Sequence, residues 1–242
     1  MSAKRFFVEG VHAAGDTVTL AGSDARKILT VLRKRSGDHL EIVDSAAVLF
    51  DAELDTDGNR VAVRLLQRLP SGQAFGPQIT IAQGIPKGQK MDFVVEKLTE
   101  LGVAAIVPLE SERSVVTGVG FSKLDRWRRL AKSSAQQCGR RDVPEIAAPA
   151  DFEAVLRSFG SFDCVLLPWE LAPPESGAAG LRIAALVRGK KNVLAIIGPE
   201  GGFSHQEVSA AREAGAHVVS LGDRILRAET AGLVLAALVQ FS

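Results

Sequence analysis

The sequence predicts an α/β protein in two parts, a small β-rich segment over residues 1–72 and a larger one over 73–242 in which strands and helices alternate. Three observations carry this. Short runs of Val, Leu, Ile and Phe, separated by turn residues, fill the first part. Strand-like apolar runs separated by helix-period runs fill the second. Between them, Leu69-Pro-Ser-Gly-Gln-Ala-Phe-Gly-Pro77 holds two Pro and two Gly and is the best linker in the chain.

In the first part the strand runs are Arg5–Glu9, Thr17–Leu20, His39–Val43, Val48–Leu54 and Val61–Leu66, with turns at Ser36-Gly-Asp38 and Asp57-Gly-Asn59. That pattern predicts a small barrel or sandwich. One helix interrupts it, with Ser23 or Asp24 able to cap its start and Ile28, Leu29, Val31 and Leu32 as its apolar stripe. In the second part, strands are expected at Ile79–Ile85, Ala104–Leu109, Phe162–Leu167, Asn192–Ile197 and His217–Leu221. Helices are expected at Met91–Leu101 with Gly102 as its C-terminal cap, and at Lys123–Cys138, Asp151–Phe159, Leu181–Val187, Ser204–Ala214 and Ala228–Val239. Strands separated by helices imply a parallel sheet covered on both faces, and the continuously apolar Cys164–Leu167 and Val193–Ile197 fit strands buried on both sides. Pro173–Gly180 reads as a surface loop.

Composition excludes several classes. Lys and Arg number 29 against 28 Asp and Glu, so the net charge of +1 excludes a highly basic tail but leaves room for local basic patches. Cys138 and Cys164 are too few for a disulfide framework or a four-Cys zinc site, which points to a reduced, cytoplasmic compartment. The four His show no metal-ligand spacing, so no metal is expected. No apolar run is long enough to cross a bilayer, and the start of the chain has no apolar stretch of the signal-peptide kind, so no membrane is expected.

Three segments could carry chemistry. The first is Ile197-Gly-Pro-Glu-Gly-Gly-Phe-Ser-His-Gln-Glu207, where a buried strand runs into a Gly-rich turn and then a helix opened by a Ser204/Glu207 capping box. The turn lies at the C-terminal end of a strand, where open α/β sheets bind ligands. It is neither G-x-G-x-x-G nor a Walker loop, and an elbow that binds nothing explains it equally well. The second is Leu221-Gly-Asp-Arg-Ile-Leu-Arg-Ala-Glu-Thr-Ala231, after the next strand and therefore expected on the same sheet edge. A helix cap with a charge pair is the commoner meaning of such residues. The third is basic: Arg26, Lys27, Arg33, Lys34 and Arg35 in one cluster, and Arg126, Arg128, Arg129, Lys132, Arg140 and Arg141 in another. A solvated face is the usual reading of a charge run, but two clusters on two parts favour RNA phosphates modestly.

Taken together and in order, these segments resemble the SPOUT-class uridine N3-methyltransferases of bacterial small-subunit (16S) ribosomal RNA, the RsmE family. Further matching elements are Arg5-Phe-Phe-Val8, Val31-Leu-Arg-Lys-Arg-Ser-Gly-Asp38, Lys87-Gly-Gln-Lys-Met-Asp-Phe-Val-Val-Glu-Lys-Leu-Thr-Glu-Leu-Gly102, Ser111-Glu-Arg-Ser114, and Gln137-Cys-Gly-Arg140 with Pro144. The family often has a His four residues before V-L-R, where this chain has Lys27. The resemblance implies a PUA-like RNA-binding β-barrel over 1–72 and a SPOUT domain with a deep trefoil knot over 73–242. It further implies S-adenosylmethionine as cofactor and a homodimer acting on the small ribosomal subunit.

On that reading, Gly198, Pro199, Glu200, Gly201, Gly202, Leu221, Gly222, Ile225, Leu226 and Thr230 would hold the cofactor. Uracil N3 must lose a proton before it attacks, and the charge left on O2, N3 and O4 needs a cation. Arg227 is the first candidate and Arg113 the second, with Glu229 as a base or as the group that orients an Arg. Arg5, Arg26, Lys27, Arg33, Lys34, Arg35, Arg126, Arg129, Arg140 and Arg141 would grip the RNA. The donor is itself cationic, so the arginines are expected on the uridine side. The alternatives are a non-catalytic RNA-binding protein of the same fold, another ribosomal or transfer RNA base or ribose methyltransferase, and an unrelated nucleotide-using α/β enzyme, against which the missing Walker and nucleophile-elbow motifs count.

Overall fold

The structure, a computed structural model, describes residues 5–58, 60–70, 76–172 and 179–242. The chain folds as two compact units: Met1–Gln73 with Ala135–Asp142, and Ala74–Ser134 with Val143–Ser242.

In the first unit, β1 (Arg5–Phe7), β2 (Thr17–Leu20), α1 (Gly22–Arg26), β3 (His39–Val43), β4 (Leu49–Asp57) and β5 (Arg60–Arg68) follow in order. The five strands form one sheet in the order β1-β3-β4-β5-β2, with β1 parallel to β3 and the other pairs antiparallel. The hydrogen-bonded path has two ends, so the expected barrel is an open, half-closed sheet. Period-2 alternation explains its core: Leu40 and Ile42 of β3, Phe50, Ala52 and Leu54 of β4, and Val61, Val63 and Leu65 of β5 point inward with Phe6 and Ile28. Gly58, at φ 58, turns β4 into β5; Asn59 of the expected turn lies outside the described residues.

The interrupting helix differs from expectation. Ala21 is its N-cap and neither Ser23 nor Asp24 caps it; both lie inside the first turn. After Arg26 the backbone widens into a π-helical stretch, Lys27–Val31. The wider turn rotates Val31 off the apolar stripe to 71% exposure while Ile28 stays buried. The place of Ala135–Asp142 in this unit was also not anticipated. Gln136 is buried; its Oε1 accepts from Lys27 Nζ at 3.1 Å and its Nε2 donates to Asp24 Oδ1 at 3.0 Å. Arg5 donates to the Gly139 carbonyl and, at 2.8 Å, to Glu41.

The second unit contains β6 (Gln78–Gly84), α2 (Lys90–Glu100), β7 (Ala105–Glu110), α3 (Phe121–Cys138, its last turn belonging to the first unit), β8 (Glu145–Ile146), β9 (Ala150–Asp151), α4 (Phe152–Arg157), β10 (Cys164–Pro168), α5 (Ala179–Val187), β11 (Asn192–Ile197), α6 (His205–Glu213), β12 (His217–Val219) and α7 (Ala228–Gln240). Its seven strands form a sheet in the order β12-β10-β11-β6-β7-β8, with β9 also on β7, and every pair is parallel. Helices cover both faces, as expected. On one face Ile79, Ile81, Leu166 and Val193 pack with Val94 and Leu98 of α2, Ala131 of α3, Ile183 of α5 and Leu235 of α7. On the other, Ala82, Leu167, Leu194 and Ile196 pack with Phe152 of α4 and Val208 of α6. The two-residue strands β8 and β9 were not anticipated; they are too short to show a period. Residues 71–75 of the expected linker and 173–178 of the expected Pro-rich loop lie outside the described residues.

Because all seven strands are parallel, the segments after β6, β7, β10, β11 and β12 leave the sheet at one edge, the edge at which α/β sheets bind ligands.

Candidate active site

The Gly-rich turn after β11 is closed by a hydrogen bond from Gly202 N to Pro199 O at 2.9 Å, with Gly202 at φ 65. Two features require glycine there. A side chain at Gly202 would be strained, and its Cβ would lie 2.7 Å from Glu170 Oε1. A Cβ on Gly84, at the end of β6, would lie 2.3 Å from Pro199 N, so β6 can approach the turn only without a side chain. The capping box forms as expected: Ser204 Oγ accepts from Glu207 N, and Glu207 Oε2 accepts from Ser204 N at 2.9 Å.

Two carboxylates tie this turn to neighbouring segments. Glu200 Oε1 accepts from Lys87 N at 2.8 Å, in the segment after β6. Glu207 Oε1 accepts from Glu112 N at 2.9 Å, in the segment after β7. Next to that contact, Arg113 donates to the Gly201 carbonyl at 3.1 Å. The Ser111-Glu-Arg-Ser114 element is therefore a tight turn, with Ser111 N donating to Ser114 Oγ at 2.8 Å, stapled to the Gly-rich turn.

A cavity of about 440 Å³ opens beside these turns, a size that suits a small-molecule cofactor. Its walls are Ile197–Glu200, Gly202 and Phe203 after β11, Ser220–Ala228 after β12 with Ala231, Pro168–Glu170 after β10, and Lys90 of α2. Of the ten expected cofactor residues, Gly198, Pro199, Glu200, Gly202, Leu221, Gly222, Ile225 and Leu226 line it, while Gly201 and the exposed Thr230 do not. Gly201 faces Arg113, and Thr230 N is spent on the Arg227 carbonyl at 2.8 Å inside the first turn of α7.

Among the catalytic candidates, Arg227 is the N-cap residue of α7 and lines the cavity; Arg113 does not. Glu229 lies behind the wall, and its partner is a lysine, not an arginine: Lys90 Nζ is 3.2 Å from Glu229 Oε1 and 3.9 Å from Glu200 Oε1. Burial raises the Glu229 carboxyl, but its own backbone amide, the Lys90 ammonium and the Arg227 charge outweigh burial and hold it below the ordinary glutamate range. A carboxylate that holds its proton so weakly is a poor base.

Sequence reasoning missed Lys90, Trp169 and Glu170. Trp169 stacks edge-on against His205 with centroids 5.1 Å apart, and its buried Nε1 has no hydrogen-bond acceptor among the described residues. No local motif marks Trp169 and Glu170, and nothing within the Lys87–Gly102 element sets Lys90 apart; only the strand order brings the three together. The cavity wall carries three cations, Lys90, Arg224 and Arg227, against three carboxylates, Glu170, Glu200 and Asp223. That balance suits a cationic ligand better than a uniformly basic pocket would.

The RNA candidates divide. Arg26, Arg33 and Arg35 are exposed, and with the half-buried Lys34 they make no ion pair among the described residues. Lys27 is held by Gln136 and lies over the Phe6 ring. The Arg5 side chain is 12% exposed and bound to Glu41 and the Gly139 carbonyl within the first unit. Arg126 pairs with Asp92, Arg129 with Asp125 at 3.1 Å and Arg140 with Asp142, and Arg141 donates to the Pro70 carbonyl. Among the described residues there is no cluster of His, Cys, Asp and Glu that could hold a metal ion, and no helix is long and apolar enough to cross a membrane.

The RNA methyltransferase domain family matches residues 75–240. A ribosomal RNA small subunit methyltransferase E from Synechocystis is 32% identical over 91% of this chain and 72% of its own length. The chain belongs to the ribosomal RNA small subunit methyltransferase E family. A family member from Neisseria gonorrhoeae, solved bound to S-adenosyl methionine, is 30% identical with a TM-score of 0.88 over 99% of this chain and 98% of its own. A protein from Legionella pneumophila, solved in complex with the same cofactor, is 28% identical with a TM-score of 0.83 over 100% of this chain and 98% of its own. Family membership covers the second unit and, through the full-length matches, the first as well.

Proposed function

We propose that this chain transfers a methyl group from S-adenosylmethionine to N3 of a uridine in 16S ribosomal RNA of the small subunit. The observation that carries the reading is the cavity at the carboxyl edge of the parallel sheet. Both segments singled out in the sequence wall it, in a family whose solved member binds S-adenosyl methionine.

The residues present suit the cofactor. Gly202 and Gly84 keep side chains out of the turn, so backbone groups of Gly198–Gly202 are available to it. Ile197, Leu221, Ile225 and Leu226 offer apolar contact, and Glu170 and Trp169 Nε1, which has no acceptor among the described residues, offer polar groups. When bound, the sulfonium supplies an electrophilic methyl carbon. The rest falls to the protein. N3 lies on the pairing edge of uracil, so the base must be unpaired or flipped out to enter the site. Its proton must leave, and a cation of the cavity wall stabilises the resulting anion; Arg227 is placed for that role, while Arg113 secures the Gly-rich turn. The exposed Arg26, Arg33 and Arg35 of the first unit are the basic residues most available to RNA phosphates. The PUA-like character of that unit, the trefoil knot, the homodimer and a cytoplasmic setting belong to the same reading and rest on the family resemblance.

The test uses small subunits from a strain that lacks the modification. Incubation with the protein and S-adenosylmethionine is expected to yield N3-methyluridine on nucleoside mass spectrometry. A methyl group on another atom, or none despite calorimetric binding of the cofactor, would overturn the assignment.

A further inference from the structure

The cavity wall contains one cation whose position is fixed, and it is not an arginine. Arg224 and Arg227 lie on the exposed segment after β12 and make no ion pair among the described residues. Lys90 stands on the first residue of α2, an 11-residue helix packed into the core through Met91, Val94, Val95 and Leu98. Its ammonium is held between Glu229 at 3.2 Å and Glu200 at 3.9 Å, which arrive from α7 and from the Gly-rich turn. The remaining charged groups of the wall are Glu170, Asp223, Arg224 and Arg227.

Two features of this arrangement work against stability. A cation at a helix N-terminus opposes the helix dipole, Gln89 supplies no side-chain cap, and the one acid of the first turn, Asp92, is engaged by Arg126 and Trp127. Glu229 gives one oxygen to Lys90, and its other oxygen, Oε2, is buried with no donor among the described residues. Local rules broken in a cavity wall point to function. The side chain of Lys90 is also 40% exposed, so the ammonium is open to a ligand while two carboxylates hold its position.

We propose that Lys90 is a further catalytic residue, whose ammonium stabilises the negative charge that develops on the uracil ring as N3 loses its proton, and that Glu229 is the positioning residue that holds Lys90 in place. The inference rests on the N3 reading given above. In the step concerned, the N3–H bond breaks, its electron pair stays on the ring spread over O2, N3 and O4, and the proton passes to solvent water. A pre-positioned cation favours that charge without itself accepting a proton, which removes the need for Glu229 to act as a base.

The experiment compares wild type, Lys90→Met, Lys90→Arg and Glu229→Gln in single-turnover methylation of small subunits that lack the modification, between about pH 6.5 and pH 9. A second substrate is small subunits carrying 5-fluorouridine, whose N3 proton is more acidic. Cofactor affinity is read separately by calorimetry. Lys90→Met is expected to lose about 100-fold in rate at neutral pH. Its deficit should narrow as pH rises and shrink to about tenfold on the fluorinated substrate, because both changes supply the anion unaided. Lys90→Arg should retain most activity, Glu229→Gln should lose less than Lys90→Met, and all variants should bind S-adenosylmethionine within about threefold of wild type. A deficit independent of pH and equal on both substrates would overturn the role of Lys90 while leaving N3 methylation intact. So would loss of cofactor affinity in both Lys90→Met and Lys90→Arg. Wild type that methylates an atom other than N3 would overturn both readings.

Discussion

The turns after β11 and β12 face each other across one cavity and are built on opposite plans. The Gly198–Ser204 turn and the helix start that follows it are tied by three bonds to two neighbouring segments: Lys87 N to Glu200, Glu112 N to Glu207, and Arg113 to the Gly201 carbonyl. The Ser220–Arg227 segment is held mainly to itself, by Gly222 N donating to Ser220 Oγ and Ser220 Oγ donating to Gly222 O, and Ile225 is 85% exposed. One wall is a pre-formed template, and the other has bonds left to make. A ligand that spans both gains shape from the first and orders the second, so mutations on the two sides should report different quantities.

The largest effect is expected on the template side. Gly84→Ala places a Cβ 2.3 Å from Pro199 N, and the pairing of β6 with β11 up to Gln83 and Ile197 holds both backbones close at this point. We expect about 3 kcal/mol of lost stability by denaturant unfolding, together with loss of cofactor binding. Wild-type behaviour in both would show that the template is softer than its hydrogen bonds suggest. Next, Glu207→Ala leaves the amides of Ser204 and Glu112 without acceptors. About 2 kcal/mol should be lost, with Glu207→Gln recovering part of it through the oxygen it keeps. Equal losses for Ala and Gln would remove the stapling role.

On the other wall the signs separate. Ile225→Ala should leave stability within about 0.5 kcal/mol, since the side chain buries little, yet weaken S-adenosylmethionine binding about fivefold in calorimetry. Unchanged affinity would mean that the ligand never touches this segment. The smallest effect concerns pH. The Glu229 carboxyl sits below its ordinary range, so its contribution is present above the unfolded value of about 4.3 and is lost as pH falls through the folded value. Glu229→Gln should therefore flatten the fall in stability between about pH 5 and pH 3, by no more than about 1 kcal/mol. A curve that matches wild type would show that Lys90 does not hold this carboxylate.

The same contrast explains what could be read from the chain alone. β2, β3 and β11 begin and end where their apolar runs do, because burial on one face of a pleat, or on both faces for β11, is written locally into the sequence. The Ser204/Glu207 cap was legible because its partners stand three residues apart. The second bond of that same carboxylate, to Glu112, spans 95 positions and leaves no local trace. Lys90 meets Glu229 for the same reason, through strand order and not spacing. Trp169 and Glu170 entered the cavity unannounced because β10 lies beside β11 and β12, an adjacency that the order of elements along the chain does not reveal. The place of Ala135–Asp142 in the first unit and the π-helical widening at Lys27–Val31 were equally silent, since each depends on a partner surface absent from the local sequence.

The most direct measurement is a crystal structure of the protein grown with S-adenosylmethionine. The cofactor should lie between Gly198–Gly202 and Leu221–Ala228, with the Ser220–Arg227 segment drawn onto it and the Gly-rich turn unmoved. Density for the cofactor outside this cavity, or a Gly-rich turn that must rebuild to admit it, would contradict the account.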